Sequence, residues 1–281
     1  MDNIIFEFVR DDRAVVFDGS RFAVSNYSGI DAADFEFVTE ENLHGIGSRL
    51  RRRKMLPRNI TLEVDYMGYA DRADIRQELL AFFDPFHTGT LYINYMGTRR
   101  QIDYEVAKPP TFSSKNVFET LSFLLELTCM DPALLSDIGY SEQISTWVGG
   151  LKFPFGLPFH LRRRGESQTA VTNGGNMDTP VLVEFHGPAV NPVVTNVTTG
   201  ERIKVNCTLA EGEILEINTD FGVKSVYRVT GSNRESLNQV IDISSRFFWL
   251  RPGTNYLSYD SDNKETVHKV AITWHERYLG I

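Results

Sequence analysis

Five of the six residues from Arg49 to Lys54 are basic, in the run Gly45-Ile-Gly-Ser-Arg-Leu-Arg-Arg-Arg-Lys54. Cationic side chains gathered this closely can hold an anion, either phosphate or the carboxylates of a protein neighbour. Arg49, Arg51, Arg52, Arg53 and Lys54 are therefore the candidate contact residues of a loop that meets an acidic partner. The plain alternative is a solvated, mobile loop, which is what a single basic run usually is. Lys and Arg number 29 against 37 Asp and Glu, a net charge of −8. That balance argues against a general nucleic-acid binder, which needs a basic face to displace counterions.

No other residue pattern composes a catalytic or metal site. The six histidines, His44, His87, His160, His186, His268 and His275, are scattered, and none pairs with Cys, Asp or His at ligand spacing. His275-Glu276 begins like a zinc-protease motif, but Tyr278-Leu279 stand where the second histidine belongs. Asp260-Ser-Asp262 hints at a calcium loop without its glycine and terminal glutamate, so a polar hairpin tip is expected. Glu40-Glu41 are merely adjacent, and a glycosidase pair must face across a site. Nucleophile-elbow, Walker and dinucleotide fingerprints are absent. The sequence thus predicts no enzyme, cofactor or metal.

Cys129 and Cys207 are the two cysteines, one in each half, which suits two buried thiols in a reducing cytoplasm rather than a disulfide framework. The opening residues carry neither a basic nor a long apolar stretch of the kind a secretory leader has, and no segment reaches the length of a membrane span. The four glycosylation sequons, at Asn26, Asn59, Asn196 and Asn206, then carry no meaning. With 42% hydrophobic and 23% charged residues the chain is expected to be globular, and its 19 Phe suit β-rich packing.

The elements follow from periodicity. Ile4 to Val9 and Arg13 to Phe17 predict a hairpin around Asp11-Asp12, and Phe22 to Ser25 a short strand. Ala33 to Thr39 alternates Phe35 and Phe37 with Asp34 and Glu36, a half-buried strand. Asn59 to Tyr66 alternates strictly. Asp71 is placed to cap a helix whose Ile75, Leu79, Phe82 and Phe83 make one apolar stripe, stopped by Asp84-Pro85. Gly89 to Tyr95 and Arg99 to Val106 predict a hairpin, Pro109-Pro110 a break, and Val117 to Leu127 the longest strand. The first half reads as a β-sheet or open barrel with one packed helix.

The run from Leu127 through Asp131-Pro132 to Gly149-Gly-Leu-Lys-Phe-Pro-Phe-Gly-Leu-Pro-Phe159 is the hinge of the chain. Strands are expected after it at Val181–Phe185, Val193–Val197, Arg202–Val205, Glu213–Asn218, Lys224–Val229, Phe247–Leu250, Asn255–Tyr259 and Val267–Trp274. Short strands at regular spacing without a helix predict an antiparallel β-sandwich. The expected domains are 1–131, a connector at 132–164, and 165–281. Trp249 and Trp274 fall in strand patterns and are expected in the core, which leaves Trp147 as the freest tryptophan.

The order and spacing of several turn signatures resemble one family. They are Leu125-Glu-Leu-Thr-Cys-Met-Asp-Pro132, the apolar segment Gly149 to Phe159, Val171-Thr-Asn-Gly-Gly175, Gly187 and Asn191-Pro192. Asn196-Val-Thr-Thr-Gly200, Gly212-Glu-Ile-Leu-Glu-Ile217, Leu250-Arg-Pro-Gly-Thr-Asn255 and Ile272-Thr-Trp-His-Glu-Arg-Tyr-Leu-Gly-Ile281 complete them. Nearly end to end, the chain resembles the phage distal tail proteins, the siphovirus-type tail components.

That resemblance implies a mainly β protein with an N-terminal tail-tube-like split barrel carrying one packed helix, and a C-terminal galectin-like antiparallel sandwich. It implies a structural protein of the virion tail tip, made in the bacterial cytoplasm. Its homo-hexameric ring, single or back to back, would join the tail-tube protein to the tail-associated hub protein, with a receptor-binding protein at the side. DNA would be met only in passage, through a channel lined by the N-terminal domains and expected to be acidic or neutral. Prophage and tail-like bacteriocin components share the pattern. No turn-to-turn gap has room for the inserted carbohydrate module of larger members. The rival reading is a carbohydrate-binding host-adhesion module acting through the C-terminal sandwich.

Overall fold

Strict alternation of apolar and polar residues shapes the first half. The structure, a computed structural model, describes residues 4–41, 45–68, 71–113, 120–145, 147–148, 163–164, 168–263 and 269–281. It divides into two units, 1–137 with 277–281, and 138–276.

In the first unit the strands are β1 (Ile4–Arg10), β2 (Arg13–Phe17), β3 (Phe22–Ser28), β4 (Phe35–Glu41), β5 (Ser48–Met55), β6 (Arg58–Tyr66), β7 (Thr88–Tyr95), β8 (Thr98–Phe112), β9 (Leu121–Cys129) and β10 (Leu134–Ser136), with α1 (Arg72–Phe82) between β6 and β7. Seven of them form an antiparallel sheet in the order β2-β1-β7-β8-β9-β6-β3. Every second residue of β6 and β9 is buried, as a strand with one face on a core requires. That core is aromatic: Phe8 meets Phe17, Phe83 and Tyr104 with ring centroids 5.0, 5.1 and 5.6 Å apart. Each fully buried Phe contributes roughly 1.5–3 kcal/mol. The helix lays Ile75, Leu79 and Phe82 onto it.

Five expectations change here. Asp71 does not cap the helix with its side chain; it accepts a 2.5 Å hydrogen bond from the Tyr66 hydroxyl instead, which holds its carboxyl below the usual range. Pro109-Pro110 does not end β8, because register shifts flank the prolines and the ladder resumes with Thr111 opposite Leu124. The basic run is strand β5 rather than a loop, hydrogen-bonded to β4, and β4 is exposed along its whole length rather than half-buried. The division between units also differs from the expected one. Leu134–Ser136 belongs to the first unit, where it pairs with β8 and with Arg277–Tyr278. The last residues, 277–281, leave the expected C-terminal domain and return to the first unit.

The second unit has two main antiparallel sheets. One orders Tyr140–Ser145, Lys269–Trp274, Leu182–His186, Ile214–Asn218, Ser225–Thr230 and Asn233–Ser236. The other orders Gln168–Asn173, Gly253–Asp260, Val193–Asn196 and Glu201–Lys204. Residues of both, including Phe185, Ile217 and Ile272 of the first and Val194, Leu257 and Tyr259 of the second, share one core. Phe247–Leu250 forms no strand: it is joined to Thr179 by a single bridge at Leu250. A 3₁₀ turn, Asn238–Val240, interrupts the strands. The hinge segment Gly149–Phe159 and the side chain of Trp147 lie outside the described residues. Among those described, no helix is long and apolar enough to cross a membrane.

Candidate assembly surfaces

The five basic candidates stand together on one element, an arm made of β4 and β5. Among the described residues its two strands pair only with each other, in a sheet of their own. The register places Phe35 opposite Met55, Phe37 opposite Arg53 and Thr39 opposite Leu50, so these share one face. The other face sets Glu36 against Lys54, Val38 against Arg52 and Glu40 against Arg49. A register shift after Val38 leaves Arg51 without an opposite residue, and its guanidinium forms an ion pair with Glu40. Phe37 is 59% exposed, with Phe35, Val38 and Leu50 each above 40%. An isolated hairpin is marginal in water. Apolar side chains left bare on both strands mark a surface made to be covered.

The alternation of Phe35 and Phe37 was the signal for this face. Periodicity reveals that a strand has an apolar side, not what covers it.

A second surface lies on the sheet of the first unit. The positions alternating with its core carry Glu7, Glu63, Asp65, Asp103, Glu105 and Glu126. Ser122 donates to Asp65 at 2.5 Å and Thr90 to Asp103 at 2.8 Å. Cations are fewer: Arg99 donates to Glu7 at 2.8 Å, and Lys108 stands 3.7 Å from Glu126. The sheet therefore presents an acidic side to solvent.

The third feature belongs to the second unit. Trp249 is half-buried rather than in the core, its ring centroid 4.4 Å from that of Phe221, which is 46% exposed. Its indole N–H donates to the carbonyl of Thr219 at 2.9 Å, and Lys224 Nζ lies 5.4 Å from the ring centroid. Trp274 is buried, as its strand pattern predicts.

The remaining candidates for chemistry make hydrogen bonds within their own unit. Glu276 accepts from the Gly174 amide at 2.8 Å, and the His275 carbonyl accepts from the Thr179 hydroxyl. Asp262 accepts from Asn191 at 2.8 Å. Among the described residues no group of His, Cys, Asp or Glu is arranged to hold a metal. Both cysteines are free; Cys129 is buried, which pushes its thiol up to about 12, and Cys207 is only half-buried.

Comparison with curated proteins found no match. The family described as siphovirus-type tail component, C-terminal domain, matches residues 174–278. Among solved structures, the SPP1 Dit protein is similar at a TM-score of 0.65 and 14% identity, covering 98% of this chain and 99% of that one. Its title calls it a paradigm of the hub adsorption apparatus in phages infecting Gram-positive bacteria. A chain of the phage P2 baseplate in its activated conformation with Ca is similar at 0.55 and 12% identity over 100% of both chains. The same baseplate with Sr gives 0.50 and 12% identity over 96% and 97%. These likenesses span both units, so the whole chain shares that fold. Residues 174–278 thus match the family of siphovirus-type tail components, and the chain as a whole has the fold of the SPP1 Dit protein.

Proposed function

We propose that this protein is a non-enzymatic ring subunit of a phage tail tip, joining the tail tube to the baseplate hub. The observation that carries the reading is the β4–β5 arm, amphipathic and exposed on both faces. Such an arm has its use against another molecule. A ring is made by heterologous contacts, in which one surface of a subunit meets a different surface of the next and rotation closes the set. The arm supplies one of the two surfaces. The acidic side of the sheet suits a channel through which DNA passes without sticking, since carboxylates repel phosphates. Six copies are proposed, and the relatives' own titles, which speak of hub and baseplate, support that setting.

The test is the native mass by light scattering over a concentration series, with negative-stain images of the same sample. Six copies of a 32.0 kDa chain give about 192 kDa and a ring with a central hole. Twelve copies indicate two rings back to back. A monomer at every concentration, also in the presence of tube and hub proteins, would refute the ring.

A second reading, a carbohydrate-binding module, is favoured by Phe221 and Trp249. An exposed Phe beside a half-buried Trp and an ammonium group is a surface on which a sugar ring can stack. Glycan-array binding that is lost in Trp249→Ala and Phe221→Ala would establish it; an array without signal would remove it.

A further inference from the structure

One end of the acidic sheet holds a cleft. Arg10 and Asp11 at the end of β1, Thr88 to Thr90 of β7, Asp103 to Glu105 of β8, and Met130-Asp131 beyond β9 surround a volume of about 620 Å³. Four carboxylates line it, those of Asp11, Asp103, Glu105 and Asp131. Two guanidiniums partly offset them. Arg10, 6% exposed, lies 3.8 Å from Asp11 and gives a 2.5 Å hydrogen bond to the Phe82 carbonyl. Arg277 forms an ion pair with Asp131. The acid stays in excess.

The cleft also has a polar group that lacks a partner. The Tyr104 hydroxyl is buried, the residue being 2% exposed, and it makes no hydrogen bond among the described residues. It reaches beneath Gly89, where a β-carbon would lie 2.6 Å from it. Buried hydroxyls are almost always satisfied, so an orphaned one in a cleft wall points to a group that arrives from outside. One apolar side chain of the lining, Met130, is 66% exposed.

We propose that this cleft is the seat of the basic arm of a second copy of the chain. The inference rests on the ring reading and names the surface that the arm meets. The two surfaces complement each other in charge. Arg52, Arg53 and Lys54 bring cationic donors to a cleft with surplus carboxylates, the pairing that planar guanidiniums make best. Arm and cleft are different surfaces of one chain, so the contact is heterologous and continues around a closed ring. A basic segment of a tube or hub protein is the competing occupant.

The experiment uses the full-length chain and charge reversal. Asp103→Lys with Glu105→Lys is expected to raise the concentration for half-assembly at least tenfold, with the melting temperature kept near that of the wild type. Adding Arg52→Glu and Arg53→Glu to the same chain is expected to restore assembly. The milder Asp103→Asn with Glu105→Gln should weaken assembly in the same direction and guards against misfolding of the reversed form. A reversed cleft that assembles like wild type would overturn the seat and leave the ring standing. Loss of assembly without rescue by the reversed arm would assign the cleft to another partner. A wild-type chain that never assembles would overturn both the seat and the ring.

Discussion

The guanidinium of Arg58 donates to the main-chain carbonyl of Leu279, 221 residues later in the chain. The same side chain donates to the carbonyls of Gly29 and Pro132, both at 2.7 Å, and is 2% exposed. Arg58 thus fastens the returning C-terminal residues to the first unit. Gly280 fits there only because it lacks a side chain: a β-carbon would lie 1.3 Å from the Asp31 carbonyl oxygen. Arg58→Met would leave buried carbonyls without donors, at roughly 1–3 kcal/mol each. A loss of about 3 kcal/mol or more is expected, a fall in melting temperature of about 6 °C or more. Unchanged melting in a thermal scan would show that the clamp is dispensable.

Removing residues 277–281 takes away the strand partner of Leu134-Leu135 together with the Arg277–Asp131 ion pair. The truncated chain is expected to lose protection from hydrogen exchange first in Leu134–Ser136 and β8. Loss confined to the second unit would contradict the placement of the tail.

Much of this fold was legible because alternation and burial coincide. Ile60, Leu62 and Val64 are inside as their spacing says, and so are Ile75 and Leu79. What could not be read depends on contacts distant in sequence. Nothing local marks Arg277-Tyr278 as the partner of Leu134-Leu135, and Arg58 looks like any strand-end arginine until its acceptors are known. Phe35 and Phe37 gave the right period and the wrong burial, since an exposed arm and a half-buried strand share one pattern. The basic candidates were found by charge alone, whereas the seat proposed for them combines Asp11 after β1, Asp103 of β8 and Asp131 beyond β9. Asp71 had the spacing of a cap, but the Tyr66 hydroxyl claims its carboxylate.

Replacing Arg51, Arg52, Arg53 and Lys54 by Ser is expected to weaken assembly while leaving thermal stability within about 0.5 kcal/mol, because exposed charges contribute little to folding. Phe37→Ser should act in the same way through the apolar face of the arm. Sedimentation and calorimetry on the same samples separate the two effects. A large fall in melting temperature with assembly intact would make the arm a stabilising element of its own subunit.

The acidic side of the sheet predicts weak DNA contact. Glu63→Lys with Asp65→Lys should convert a repelling patch into an attracting one and give binding to duplex DNA that fades steeply with salt. Wild-type affinity for DNA equal to that of the variant would remove the reason for placing this face toward a channel.

Burial of Cys129 and Tyr104 makes the first unit sensitive to alkali. The Cys129 thiol rises from an ordinary 9.0 to about 12 on desolvation, and the Tyr104 hydroxyl from 10.0 to about 12 for the same reason. Below about pH 9 both states of the chain keep these protons, and neither group makes stability depend on pH. Above it the unfolded chain releases the thiol proton, and from about pH 10 the phenol proton also, while the folded chain retains both. The unfolded state then binds fewer protons, so stability falls as pH rises toward about 12. Urea midpoints at about pH 8 and about pH 10.5 should show that fall. Cys129→Ala should reduce its steepness from about pH 9 upward, and Tyr104→Phe only from about pH 10. If both variants lose stability with pH as steeply as the wild type, these groups already ionise in the folded chain and the first unit admits water to its core.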